Sequence, residues 1–277
     1  MNQYKKSILI TGCSSGIGLC VAQALQQRGY RVFATARKDD DVKELIALGL
    51  ESFQLDLDNS KSIKSAVDTI IEETGGTLYA LFNNGAYGQA GAVEDLSREV
   101  LRQQFETNVF GWQELTNLVL PIMLKQGYGR IIQNSSVLGF VALKFRGAYT
   151  ASKYAIEGLS DTLRQELIGT NIYISLIEPG PIESQFRANS FAAYKKNIDK
   201  EKSRFKSDYE STEKRLGKKG AAVPFTLPPE AVLKRVIHAL ESEKPKPRYY
   251  VTLPTYFFGY LKRILSTRLM DIILNKV

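Results

Sequence analysis

The stretch "ILITGCSSGIGLCVAQAL" (residues 8–25) joins an apolar run to a glycine-rich turn and then to a helical pattern. Gly12, Gly16 and Gly18 fall in the turn with the spacing GxxxGxG. Glycine lets the backbone turn sharply and lets a pyrophosphate approach it closely. The helix that follows presents unpaired N–H groups and the positive end of its dipole to the phosphates. Ser14 and Ser15 add hydroxyl donors to the same turn, and Ile17 separates the last two glycines. Glycine spacing alone also fits a tight β–α turn with no ligand. The strand before it and the amphipathic helix after it favour a dinucleotide cradle.

The end of the next strand reads the cofactor. An acid there holds an adenosine ribose 2′-OH, and a basic residue holds a 2′-phosphate. "FATARKDD" (33–40) places Ala36 at the acid position, followed by Arg37. A guanidinium makes forked contacts with phosphate. The reading favours NADP over NAD, against the plainer one of a surface loop charge. Asp39, Asp40 and Asp41 suit the first turn of the following helix, where they complement its dipole.

Working outward, strands are expected at 7–12, 31–36, 51–55, 78–84, 130–136 and 171–179, with helices near 17–28, 41–48, 60–73, 98–126 and 149–168. Continuous apolar runs imply strands buried on both faces, and strict alternation implies a parallel sheet with helices on both sides. "RYYVTL" (248–253) is expected to close one edge. Residues 183–226 break the rhythm. They are polar, charged and helix-prone, as in a functional lid or a disordered segment. His238, the only histidine, is read as structural.

"GAYTASKYAIEG" (147–158) carries the chemistry. Tyr149 and Lys153 are one turn apart on one helix face. Of the fourteen tyrosines, Tyr149 alone has a lysine four residues later, which separates it from Tyr154. A free tyrosine titrates near 10, too high for a base near neutrality, and a nearby ammonium is expected to lower it. Ser136 ends a neighbouring strand and can polarise a substrate oxygen.

The motifs "TGCSSGIG" (11–18), Asp56 and Leu57, "NNGA" (83–86), Asn108, Ser136, "YTASK" (149–153) and "PGPI" (179–182) resemble, in order, the classical short-chain dehydrogenase/reductase family. The likeness covers about residues 5–184. Its "RGYRVFATAR" pattern, lid and tail are similar to the hydroxysteroid and retinol dehydrogenase branch. The resemblance implies a single Rossmann-type, doubly wound domain over 1–253. Its sheet would be seven-stranded and mainly parallel, with a lid over 183–226 and an amphipathic helical extension over 254–277. It implies Tyr149 as acid/base, Lys153 as its activator and ribose ligand, Ser136 as oxygen donor and Asn108 as anchor of a relay water. Asp56 and Leu57 would flank the adenine, Asn84 the adenosine side, and Pro179, Gly180 and Ile182 the nicotinamide. The family usually shows Asn-Asn-Ala-Gly where this chain has Asn83-Asn84-Gly85-Ala86, so Ala86 would be strained if its φ were positive. The expected substrate is a bulky apolar alcohol or ketone, lined by Leu138, Val141, Leu143, Phe186 and Phe191. The expected activity is NADP-dependent interconversion of carbonyl and alcohol. The alternatives are a dinucleotide-binding regulator without turnover, or a membrane-surface binding protein.

Composition agrees with a soluble globular chain: 277 residues, 44% hydrophobic and 24% charged. The start, "MNQYKKSILITG", reads as a first strand and not as a signal peptide. Two cysteines and one histidine give no expectation of a metal site, and a reduced, cytoplasmic setting is the simplest reading. The net charge of +8 sits mainly in the last third, where residues 244–277 carry seven Lys/Arg against Asp271 alone. Acidic lipid or an anionic ligand would be attracted there, and no recognition motif points to nucleic acid. Phe257, Phe258, Leu261, Ile264, Leu265, Leu269, Ile272 and Ile273 recur at helical spacing. The tail then packs on its own domain as a pocket wall, lies peripherally on a membrane, or contacts another subunit. Family members often form dimers or tetramers through the helices near 98–126 and 149–168.

Overall fold

The computed structural model describes residues 6–218 and 220–276. The start of the chain, Lys219 in the lid and Val277 at the end of the tail therefore lie outside the described residues. Seven strands form one sheet: β1 (Ser7–Ile10), β2 (Arg31–Ala36), β3 (Glu51–Gln54), β4 (Ala80–Asn83), β5 (Gly129–Asn134), β6 (Ile172–Glu178) and β7 (Arg248–Tyr250). Their order is β3-β2-β1-β4-β5-β6-β7, and every pair is parallel. Sequence order reverses between β1 and β4. In doubly wound sheets, ligands settle in the crevice at that reversal.

Alternation within β1 shows how the layers assemble. Ile8 and Ile10 face a core with Val21, Ala22 and Leu25 of α1 (Gly16–Gln27) and Val232, Val236 and Leu240 of α9 (Glu230–Glu241). Leu9 faces the opposite core. That core holds Ile63 and Ile70 of α3 (Ser60–Thr74), Trp112 and Leu115 of α5 (Gly111–Gln126) and Ile156 of α6 (Gly147–Glu166). Side chains two apart share a strand face, so one apolar run feeds both cores. α2 (Asp39–Ala47) carries all three of its aspartates in the first turn.

The helix expected over 98–126 divides into α4 (Arg98–Phe105), a π turn at Glu106–Phe110, and α5. Such bulges interrupt the regular ladder, often at functional sites. Asn108 is buried within this one. The "RYYVTL" strand is also shorter than expected. It stops at Tyr250, and α10 (Leu253–Ile264) starts with Pro254 in its first turn, a position that proline suits.

The charged excursion folds into α7 (Phe186–Asn197) and α8 (Lys206–Gly217). Tyr194, Tyr209 and Leu216 anchor it against Ala90, Ala92, Ala148 and Phe145. Its ends meet where Glu183 N–H donates to Leu227 O at 2.9 Å and Leu227 N–H donates to Pro181 O at 3.1 Å. α10 and α11 (Thr267–Leu274) complete the described chain. Among the described residues, no helix is long and apolar enough to cross a membrane.

Candidate active site

The glycine turn lies at the reversal point. Gly12 and Gly16 have φ of 70° and 57°, where a side chain would be strained. A Cβ at Gly12 would lie 2.5 Å from the Gly85 Cα, and one at Gly18 would lie 2.2 Å from the Gly12 carbonyl oxygen. Ser15 caps α1 in an extended conformation without a side-chain hydrogen bond, and the first turn of α1 has no acid. The donor set therefore fits an anionic diphosphate, which the backbone N–H groups of residues 16–18 and the Ser14 and Ser15 hydroxyls would hold. A dinucleotide bound there would run from this turn towards Tyr149.

Arg37 follows β2, exposed, and has no ion pair among the described residues. Gln54 Nε2 donates to its carbonyl at 3.0 Å. Asp56 is partly buried, and its Oδ1 accepts from Asp58 N–H at 3.1 Å. Leu57 is buried, and the chain packs so tightly on it that a Cβ at Gly111 would lie 2.2 Å from its carbonyl. Asn84 turns inward. Its Nδ2 donates to the carbonyls of Thr11 and Gly12 at 3.0 and 3.2 Å, and its Oδ1 accepts from Asn134 Nδ2 at 2.8 Å. Its side chain thus ties the ends of β1, β4 and β5 together. Neither Gly85 nor Ala86 has a positive φ, so the exchanged pair carries no strain.

Tyr149 stands one turn before Lys153 on α6. Ser136, after β5, stands near the Tyr149 phenol and favours its charged form, and its Oγ accepts from Leu138 N–H at 3.1 Å. Lys153 Nζ donates to Asn134 O at 2.7 Å and lies 5.6 Å from the Tyr149 ring centroid. The expected lowering of the phenol does not follow. Burial pushes Tyr149 up to about 12, while Ser136 and Arg146 pull the other way. Burial also brings Lys153 down to about 7, opposed by Glu157. Desolvation outweighs these neighbours for both groups.

Asn108 serves the same face from the π turn. Its Oδ1 accepts from Tyr87 N–H at 3.2 Å, and its Nδ2 donates to Tyr87 O and Ser152 Oγ at 2.9 and 3.1 Å. Ser152 Oγ in turn donates to the Tyr149 carbonyl at 2.7 Å. Pro179 O accepts from Val137 N–H at 2.8 Å, which joins β6 to the Ser136 turn. Gly180 lies against Thr252, and Ile182 packs beside the α1–α9 core.

Two walls close on Tyr149. From the lid, Phe186 sets its ring edge-on at 5.1 Å between centroids. From the tail, Phe258, Leu261, Leu265, Met270 and Ile273 cluster with Leu138, Val141, Leu143 and Tyr149 itself. Phe191, expected in this pocket, instead stacks on Tyr194 inside the lid at 6.3 Å. Tyr154 points outward and accepts from Lys262 Nζ at 3.0 Å. His238 Nδ1 lies 2.8 Å from the Tyr249 hydroxyl, a contact between α9 and β7.

The sequence reading passed over Glu157, although it stands four residues beyond Lys153 on the same face. Its Oε1 accepts from Ser135 Oγ at 2.5 Å, and its Oε2 accepts from Arg248 at 2.9 Å. Arg248 also meets Asp161 and the buried Glu178, whose carboxyl burial raises to about 9. The i,i+4 rule that selected Lys153 would have found Glu157. Trp112 and Arg146, also at this site, had no such signal.

Residues 6–195 match the family model described as short chain dehydrogenase. The chain is 45% identical to "Uncharacterized oxidoreductase YbbO" of Escherichia coli (strain K12), over 98% of this chain and 94% of that one. It is 38% identical to Homo sapiens "Retinol dehydrogenase 8", over 68% of this chain and 62% of that one. Among solved structures it resembles a single-site variant of actinorhodin polyketide ketoreductase with NADPH, with TM-score 0.73 and 26% identity, covering 89% of this chain and 95% of that one. Fold and likeness agree: the chain belongs to the short chain dehydrogenase family of NAD(P)-dependent oxidoreductases.

Proposed function

We propose that this oxidoreductase interconverts a carbonyl and an alcohol on a bulky, largely apolar substrate and uses NADP in preference to NAD. The observation that carries the reading is Tyr149 packed beside the turn that holds Ser136, with Lys153 one turn behind it and its Nζ 5.6 Å from the Tyr149 ring centroid. A nicotinamide cofactor, when bound, supplies or takes up the hydride. Ser136 donates to the substrate oxygen and fixes its direction. Tyr149 gives its proton to that oxygen as negative charge develops on it. A phenol near 12 holds its proton at neutral pH and is a far stronger acid than the alcohol formed, so the transfer runs downhill. Lys153 steadies the phenolate left behind and offers its ammonium to the cofactor ribose. Asn108 positions this group through Ser152. The apolar walls exclude water, which strengthens each of these contacts.

Arg37 supports the NADP preference, because a guanidinium after β2 with no ion pair among the described residues suits a 2′-phosphate. Leu138, Val141, Phe186, Phe258 and Met270 support the apolar substrate class, as does the name of retinol dehydrogenase 8. The test is oxidation of NADPH and of NADH against a panel of ketones, aldehydes, steroids and retinoids. Turnover with NADPH on apolar carbonyls is expected. Failure of the whole panel with both cofactors would remove the reading.

A second reading concerns where the protein works. Leu253, Phe257, Tyr260 and Ile264 form an exposed stripe along α10, with Lys262, Arg263 and Arg268 nearby. That pairing suits peripheral contact with an anionic lipid surface. Co-sedimentation with phosphatidylglycerol vesicles is expected for the protein and weakened by Phe257→Glu with Ile264→Glu. Equal partition of both proteins would exclude it.

A further inference from the structure

Ser135 stands between two residues of the site. The carbonyl before it, on Asn134, accepts from Lys153 Nζ at 2.7 Å, and the residue after it is Ser136. Ser135 is itself buried, and its Oγ donates to Glu157 Oε1 at 2.5 Å. The contact is closely enclosed. A Cβ at Gly139 would lie 2.6 Å from Ser135 Oγ and 2.9 Å from Glu157 Oε1, so a side chain there would push into it. Holding Glu157 therefore holds Ser135, and with it the peptide units that carry the lysine's acceptor and the Ser136 side chain.

Glu157 is fixed in turn from the edge of the sheet. Its Oε2 accepts from Arg248 Nη2 at 2.9 Å, and the same nitrogen donates to Asp161 Oδ2 at 2.7 Å. Arg248 Nε lies 3.3 Å from Glu178 Oε1. One guanidinium at the start of β7 thus serves three carboxyl groups, of which Glu157 and Glu178 are buried. A forked cation suits that task, and a buried carboxylate needs a partner. Glu178, raised to about 9 by burial, holds a proton near neutrality, which leaves Arg248 to Glu157 and Asp161. Other cations come near without replacing it. Arg164 shares Asp161 at 2.5 Å, and Arg235, Lys246 and Arg263 line an outer cleft with Arg248. Among the described residues none of these four pairs with Glu157 or Glu178. Two residues along β7, the Tyr250 ring meets Phe140 at 5.6 Å between centroids, so the same strand also braces the far end of the Ser136 turn.

We propose that Arg248 is a positioning residue for the reaction: through Glu157 and Ser135 it holds the Asn134–Ser136 turn, so that the seat of Lys153 and the Ser136 hydroxyl keep their places beside Tyr149. This deepens the oxidoreductase reading above and rests on it. Arg248 acts at a distance, since two hydrogen bonds and one peptide bond separate it from Ser136. It also keeps Glu157 ionised, and that charge supports the ammonium form of Lys153. Without Arg248, Glu157 would take up a proton rather than stay charged in a buried place, and Lys153 would shed its proton at lower pH. Geometry and charge at the site then both depend on an edge strand that carries none of the reacting groups.

The test reads Lys153 without turnover. Trp112 is the chain's one tryptophan, and its ring centroid lies 4.1 Å from Lys153 Nζ, so its emission follows the lysine's charge as pH is varied. Lys153→Met, expected to lack the transition, assigns it to the lysine. Arg248→Gln should lower the midpoint by about one pH unit, the low end of what a nearby opposite charge does. Arg248→Lys, which keeps the charge, should hold the midpoint near that of wild type. Arg248→Gln should add no further shift to Glu157→Gln, because both act through one carboxylate. In steady-state kinetics Arg248→Gln should lower kcat about tenfold, the scale of one charge-assisted hydrogen bond. Should Arg248→Gln fail to fold, Ser135→Ala breaks the chain of contacts at its other end and should also lower kcat. An unmoved midpoint in Arg248→Gln, a shift that adds in full to that of Glu157→Gln, or wild-type kcat in Arg248→Gln or Ser135→Ala overturns the role. Failure of the wild-type protein to turn over any carbonyl overturns the oxidoreductase reading and leaves the Trp112 titration standing.

Discussion

Lys153 Nζ lies 4.1 Å from the centroid of the Trp112 ring, so an aromatic face lies against the buried ammonium. Trp112 is itself fixed, because its Nε1–H donates to Gly85 O at 2.8 Å. One residue thus links the lysine to the turn after β4. Trp112→Leu is expected to lower kcat about tenfold, the scale of a desolvated cation–π contact. Trp112→Phe, which keeps a ring, should lose much less. Steady-state kinetics with thermal melts of both variants check this, and equal losses would place the effect in packing.

Tyr149→Phe keeps the ring against Phe186 and removes only the phenolic proton. Turnover should fall by roughly 10²–10⁴-fold, the contribution of a positioned acid. NADPH affinity should hold. A variant with wild-type turnover would take Tyr149 out of the chemistry.

Arg37→Ala should weaken NADPH more than NADH, by about tenfold for one lost charge-assisted contact. Fluorescence titration of each cofactor reads the difference. Equal losses would refute the phosphate assignment.

The pH behaviour follows from Lys153. Burial lowers it from 10.5 to about 7, so the folded protein binds fewer protons than the unfolded chain between those values. Stability from this group therefore grows as pH rises through that window and is lost as pH falls towards 7. Lys153→Met should flatten that dependence and melt higher than wild type at pH 6, while losing turnover. Glu157 favours the charged lysine, so Glu157→Gln should move the lysine-linked limb of the rate profile to lower pH. An unmoved profile would show that Glu157 acts only through packing.

Phe258 is buried in the cluster that reaches Tyr149. Phe258→Ala should cost about 3 kcal/mol of stability, as for other buried aromatic truncations. It should also raise KM for apolar substrates and leave NADPH affinity unchanged. Denaturant unfolding and substrate kinetics separate the two effects.

Local pattern made most of this legible. The GxxxGxG turn and the i,i+4 pair are short-range signals, and they place Gly12 and Tyr149 without knowledge of the fold. Partners set by long-range packing were not readable. Phe191 was assigned to the pocket because it is apolar and lies in the lid, but Tyr194 takes its face. The rise of the Tyr149 phenol depends on how much protein surrounds it, which spacing cannot report. Arg248 opens an expected edge strand, where a basic residue looks like an ordinary surface charge. Its hold on Glu157 is a property of tertiary structure.

The Gly12–Gly18 cradle is built by β1, the turn after it and the start of α1, while the wall behind Tyr149 is built by α10 and α11 at the far end of the sequence. Inheritance can therefore act on the two ends separately. Exchanging the tail for that of a relative would change which molecules enter and leave intact the segment that carries the reducing equivalents. A lineage could then move to a new metabolite without rebuilding its redox machinery.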